Sequence, residues 1–169
     1  MKKKNLLHKH NLTLLLGLLL LFIIAVALII EYIGYKPCNL CEKERIAYYI
    51  AIPLALISSI LYYKYPQHHK KIDILIIIIA ITLFINLLLS IYHLAIEFHW
   101  IDLPNSCVNK VNNINLNNNS LLVALYNSSP PASCDTVNLY ILGLSLVSWN
   151  AIITIGALIG SIFIINLKK

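Results

Sequence analysis

Four long apolar blocks, residues 12–33, 46–63, 72–96 and 139–167, stand between polar stretches. Each approaches or exceeds the roughly 20 residues a helix needs to cross hydrocarbon, where a soluble core would show short patches at helical or strand period. The first carries no charge before Glu31 and runs into "EYIGYKPC" with further blocks behind it, so it reads as a retained helix and not a cleaved leader. Pro53 in the second predicts a kink satisfied by neighbours. The third contains Asn86 and His93; the fourth contains Trp149, Asn150 and three glycines, Gly143, Gly156 and Gly160. Gly156 and Gly160 fall at small-xxx-small spacing, which predicts a close helix contact.

Composition agrees with a membrane solvent. Hydrophobic residues make up 59% of the 169 and charged residues only 12%, with a mean hydropathy of +0.78. A soluble domain carries about 25% charge. The expected architecture is an all-α membrane protein, one domain over residues 1–169, with four transmembrane helices in a bundle.

Charge then sets the orientation. Nine lysines lie in "MKKKNLLHKH", "KYPQHHKK" and the terminal "LKK", whereas residues 34–45 and 97–138 hold only Lys36, Lys43, Arg45 and Lys110. Positive charge concentrates on the cytoplasmic side, so both termini are expected there, with two extracytoplasmic loops. The net charge of +6 is then a topology signal with anionic headgroups as its partner, and nothing argues for nucleic acid. In the second outer loop, residues 109–119 are asparagine-rich and low in complexity, the pattern of a flexible loop. "LLVALY", at 121–126, is too short to span and suits a helix lying on the membrane surface.

All four cysteines fall in the two outer loops: Cys38 and Cys41 in "KPCNLCEKER", Cys107 and Cys134 in the second. Outside the cytoplasm disulfides form and persist. Zinc is the rival, but the second pair is 27 positions apart with no CxxC or HxxxH companion, so no metal is expected. A structural role suits Cys107 and Cys134, since closing so long a loop restrains the unfolded chain by roughly 3 to 4 kcal/mol in the entropy model. It suits Cys38 and Cys41 poorly. A CxxC ring is small and readily reduced, the profile of an exchanging pair. If the second helix starts near Cys41, the helix N-terminus and Arg45 one turn on both favour a Cys41 thiolate. Arg45 also fits an anchor snorkelling to headgroups.

These residues resemble the bacterial disulfide bond formation protein B (DsbB) family. The likeness lies in "PCNLCEKER", in "YHLAIEFHWIDLPNSC" before the third cysteine, and in "CDTVNLYILGLSLVSWN" after the fourth. It implies an inner-membrane enzyme, active loops facing the periplasm, that reoxidises a DsbA-like thioredoxin-fold oxidase and passes electrons to membrane quinone, ubiquinone or menaquinone. By that resemblance Cys38 and Cys41 are the quinone-linked pair, with Cys41 beside the ring, and Cys107 and Cys134 meet the soluble partner. Arg45 polarises a quinone carbonyl, and His93 lies near the quinone. A histidine satisfied by a neighbour at a helix end is the plainer reading of His93. Glu97, one turn further, either orients it or is solvated, and Trp100 reads as an interface anchor. Two other classes fit the pattern: a quinone-linked oxidoreductase of the vitamin K epoxide reductase type, and a non-enzymatic membrane protein with stapled loops. In the former the CxxC lies late in the bundle; here it follows the first helix.

Overall fold

The computed structural model describes residues 2–104, 107, 133–135 and 139–167. The asparagine-rich stretch and the expected surface helix at 121–126 lie outside them. Four long helices carry the architecture: α1 (Lys2–Tyr32), α2 (Asn39–Lys64), α3 (His69–Glu97) and α4 (Leu146–Asn166). All four are long and apolar enough to cross a membrane. A 3-10 turn, Pro66–His68, joins α2 to α3. The helices pack in chain order, with α1 and α4 touching only lightly.

The caps explain where two of them begin. Cys38 is the N-cap of α2, its sulfur accepting the Cys41 backbone N–H, so the CxxC forms the helix's first turn. Pro53 sits inside α2 without ending it. The fourth helix begins at Leu146, later than the apolar run from 139 suggests. Residues ahead of it form a small hairpin, β1 (Tyr140–Ile141) with β2 (Leu144–Ser145), around Leu142 and Gly143. Both turn residues have positive φ, 53° and 82°, the backbone a two-residue hairpin turn requires and a helix cannot continue. Ser145 then caps α4 by accepting the Ser148 N–H at 3.1 Å.

Small and branched side chains fill the middle of the bundle: Leu20, Ala51, Ala55, Ile76, Ile79, Leu83 and Ala157 are buried. Leu15, Phe22, Phe84, Ile85, Ile159 and Phe163 face outward, as expected when the surrounding solvent is lipid. The close helix approach falls at Gly17. A Cβ there would meet Ala55 Cβ and Leu56 Cδ2 at 3.3 Å, whereas one at Gly156 or Gly160 would meet nothing within 4 Å. The contact expected of the Gly156–Gly160 pair is therefore absent, because those glycines point away from the neighbouring helices.

One end of the bundle gathers the lysine-bearing segments. There Lys9 Nζ of α1 lies 3.0 Å from Asp73 of α3, Asp73 also accepts the Tyr62 hydroxyl of α2, and His10 Nδ1 meets the Ser59 carbonyl at 2.8 Å. The other end holds the cysteines.

Candidate redox site

Every described cysteine is at this end, within a small apolar cluster of Cys38, Leu40, Ile96, Cys107 and Cys134. Cys107 and Cys134 form a disulfide with Cα atoms 5.6 Å apart; Cys38 and Cys41 are free, their sulfurs 3.0 Å apart. The loops are remote in sequence and adjacent in space. Cys38 Sγ, Cys134 Sγ and a His93 ring nitrogen lie within 4.8 Å of one another, and all three residues are buried. These are side chains that bind soft metals, but the Cys134 sulfur is bonded to Cys107 in this state, so the trio fits thiol exchange.

His93 is the hinge of the cluster. It reaches down from the last turns of α3, its Nε2 3.5 Å from Cys38 Sγ and its Nδ1 3.0 Å from Glu44 Oε1 on α2. Both ring nitrogens thus face protein groups. Glu44 is held in turn by the Asn150 amide, which donates to Oε2 at 2.8 Å and to Ser90 Oγ at 2.7 Å. Tyr48 donates to Asn150 Oδ1 and sits 3.2 Å from Thr154 Oγ1, which also accepts from Asn86 Nδ2 at 3.2 Å. A ladder of polar groups therefore descends from the sulfurs into the bundle across α2, α3 and α4.

The thiolate falls on a different sulfur from the one the sequence favours. The hydrogen bond shared with the Cys41 side chain lowers Cys38 most; burial opposes it, and His93 and the Cys41 N–H reinforce it, bringing Cys38 from 9.0 to about 4. The main physical reason is the contact between the two sulfurs, 3.0 Å apart; the cap position adds the smaller contribution of the Cys41 N–H. Arg45 does not supply the charge here. Its guanidinium pairs with Glu31 of α1 and donates to the Ala27 carbonyl at 3.5 Å. A stabilised Cys38 thiolate stabilises the reduced pair and makes the CxxC a stronger oxidant, as in the DsbA case.

One other expectation changes. Glu97 neither orients His93 nor lies free; it accepts the Ser145 hydroxyl at 3.0 Å and so ties the end of α3 to the cap of α4. Trp100 is 80% exposed, in keeping with an interface anchor. Glu44 belongs to the Glu-Arg pair of the "PCNLCEKER" match but carried no assigned role; it stands three residues after Cys41, one turn on, in a helix leading into the bilayer. Asn150 was visible as a polar residue within a span, a functional suspect by default.

Four bilayer-length helices holding two cysteine pairs against one buried histidine define a membrane thiol–disulfide protein. The sequence matches the family "Disulfide bond formation protein DsbB" over residues 9–164, nearly its whole length. The chain belongs to the DsbB family, and with it to the multi-pass membrane disulfide oxidoreductases. It is also 29% identical over 149 residues to the uncharacterized protein RP370 of Rickettsia prowazekii (strain Madrid E), covering 85% of this chain and 83% of that one. No solved structure matches it.

Proposed function

We propose that the protein reoxidises a DsbA-like, thioredoxin-fold oxidase in the periplasm and passes the electrons to ubiquinone or menaquinone in the bacterial inner membrane, with both termini cytoplasmic. The observation carrying this reading is the approach of Cys38 to Cys134, which lets two disulfides far apart in sequence exchange. A thiolate of the reduced partner attacks Cys107, and the Cys107–Cys134 bond breaks with its electron pair on Cys134. The Cys134 thiolate attacks Cys38 of an oxidised Cys38–Cys41 pair, forming a Cys38–Cys134 bridge and releasing the Cys41 thiolate. The partner's second thiol then resolves the mixed disulfide and frees Cys107.

Quinone is the acceptor that fits the energetics. A DsbA-like partner has a potential near about -120 mV, and each roughly 30 mV uphill costs about 1.4 kcal/mol in a two-electron couple, so ordinary thiol pools cannot reoxidise it. When bound, the quinone takes the electron pair of the reduced CxxC. Arg45 is the residue for its carbonyl: a guanidinium at the cysteine end of α2, able to stabilise growing negative charge once it turns from Glu31. His93, buried beside Cys38, is the other residue assigned to the quinone on the strength of the family resemblance.

Anaerobic mixing of purified protein with reduced DsbA and a soluble quinone tests this directly. Loss of oxidised-quinone absorbance in step with DsbA oxidation is expected; partner oxidation without quinone reduction would defeat the reading. Orientation is tested separately. A membrane-impermeant thiol reagent applied to intact, reduced cells, with the outer membrane permeable to it, should label all four cysteines. Labelling only after the inner membrane is opened would reverse the topology.

A further inference from the structure

Cys38, His93 and Glu44 form a line: sulfur, Nε2 at 3.5 Å, then from Nδ1 a carboxylate at 3.0 Å. In that order a carboxylate fixes the orientation of an imidazole and leaves its far nitrogen to serve a nucleophile or leaving group. Nothing in the line is exposed, and the carboxylate is itself anchored by Asn150. The Cys134 sulfur lies within 4.8 Å of both Cys38 and His93. His93 is therefore placed at the bond that exchange makes and breaks, and Glu44 is placed behind it.

We propose that His93 is a catalytic residue for disulfide exchange, and that Glu44 is its positioning residue, together making Cys38 the leaving group when the Cys107–Cys134 disulfide is restored. This rests on the reading of the two pairs as exchanging disulfides. In the restoring step the Cys107 thiolate attacks the Cys134 sulfur of the Cys38–Cys134 bridge. The Cys107–Cys134 bond forms, the Cys38–Cys134 bond breaks, and the electron pair leaves on Cys38, with no net oxidation. His93, protonated on both nitrogens, donates Nδ1–H to Glu44 and Nε2–H to the departing sulfur. The structure holds the product arrangement of that step: Cys107 bonded to Cys134, and Cys38 free against His93.

A lower thiol pKa makes a faster leaving group, and the direction of the Cys38 shift agrees. Among the described residues, the titratable groups seen around the Cys38–His93 pair in the reduced protein include Cys41 and Glu44 from α2 and Cys107 and Cys134 from the second loop; α4 offers Asn150 and α3 offers Ser90, which do not titrate.

The test uses the full chain with all four cysteines, alkylating the reduced protein across pH and reading Cys38 by peptide mass spectrometry. The wild-type midpoint is expected at about 4. Glu44→Gln should raise it by about one unit or more, and Glu44→Asp should restore part of the shift. His93→Gln should raise it similarly, and adding Glu44→Gln to His93→Gln should change nothing further, because Glu44 acts through the ring. After a pulse of reduced DsbA, both Gln variants should accumulate the Cys38–Cys134 bridged form severalfold over wild type. An unshifted midpoint in Glu44→Gln, or an equal shift by Glu44→Gln with and without His93, overturns the proposal. If Glu44→Gln does not accumulate in membranes, an unshifted midpoint in His93→Gln overturns it instead. The midpoints need neither quinone nor partner, so wild-type protein that reduces no quinone would defeat the proposed function and leave this result standing.

Discussion

Each end of the bundle holds an ionisable pair, and the two differ in what surrounds it. At the lysine end Lys9 meets Asp73, and Asp73 also takes the Tyr62 hydroxyl; every partner is a fixed side chain on a helix. At the cysteine end Glu44 meets His93, but the other face of the ring looks at a sulfur whose bonding partner can change. The same type of contact is a latch in one place and part of a reaction in the other. What separates them is whether a neighbour can depart, not how deeply the charge is buried.

The strongest way to break the comparison is to stop the departure. Cys134→Ser should bring turnover to background and trap a mixed disulfide between Cys107 and a partner retaining one active-site thiol, visible on a non-reducing gel. Capture of that partner at any other cysteine would reverse the order of exchange. Arg45→Ala comes next. It removes the cation proposed for the quinone and should lower turnover at limiting quinone by about a hundredfold, with Arg45→Lys intermediate because the planar fork is lost. Undiminished turnover would leave Arg45 as α1's anchor through Glu31 alone.

Lys9→Met sharpens the contrast from the other side. Leaving the half-buried Asp73 with only the Tyr62 hydroxyl should cost about 2 kcal/mol in unfolding experiments in detergent, with turnover of the folded protein within about twofold of wild type. Lost turnover without lost stability would mean that the lysine end takes part in chemistry. The smallest effect concerns packing. Gly17→Ala should destabilise by about 1 kcal/mol, since its Cβ would press on Ala55 and Leu56, while Gly156→Ala should be neutral or slightly stabilising by helix propensity.

The number of helices was legible because bilayer thickness imposes a length that few soluble segments reach. The start of α4 was not: Leu139 to Leu144 are as apolar as a span, and only the positive φ at Leu142 and Gly143 divides hairpin from helix. The cysteines were legible as a redox set from spacing and resemblance. Which sulfur is favoured as thiolate was not, since that depends on the hydrogen bond between the two side chains and on His93 reaching Cys38 from another helix. Glu44 was legible as part of the Glu-Arg pair, but its role was not, because that lies in facing His93 from another helix, a relation that spacing along one segment does not express. The glycine argument chose the wrong pair for the same reason: spacing names a face of α4 but not its neighbour, and Gly17, whose partner at that spacing is Thr13 and not a second glycine, is the residue that touches.

The polar ladder from Glu44 to Asn86 has a consequence for biosynthesis. Asn150 and Thr154, its middle rungs, both belong to α4, which is made after the other three described transmembrane helices. Until α4 arrives, the Glu44 carboxylate lacks the Asn150 amide, the Tyr48 hydroxyl lacks both of its partners and the Asn86 amide lacks its acceptor, all of them in or near hydrocarbon. Nascent chains in which α4 has not yet inserted therefore hold unsatisfied polar groups in the bilayer, and arrival of α4 satisfies them, so assembly of the bundle is driven late by polar contacts as well as by packing.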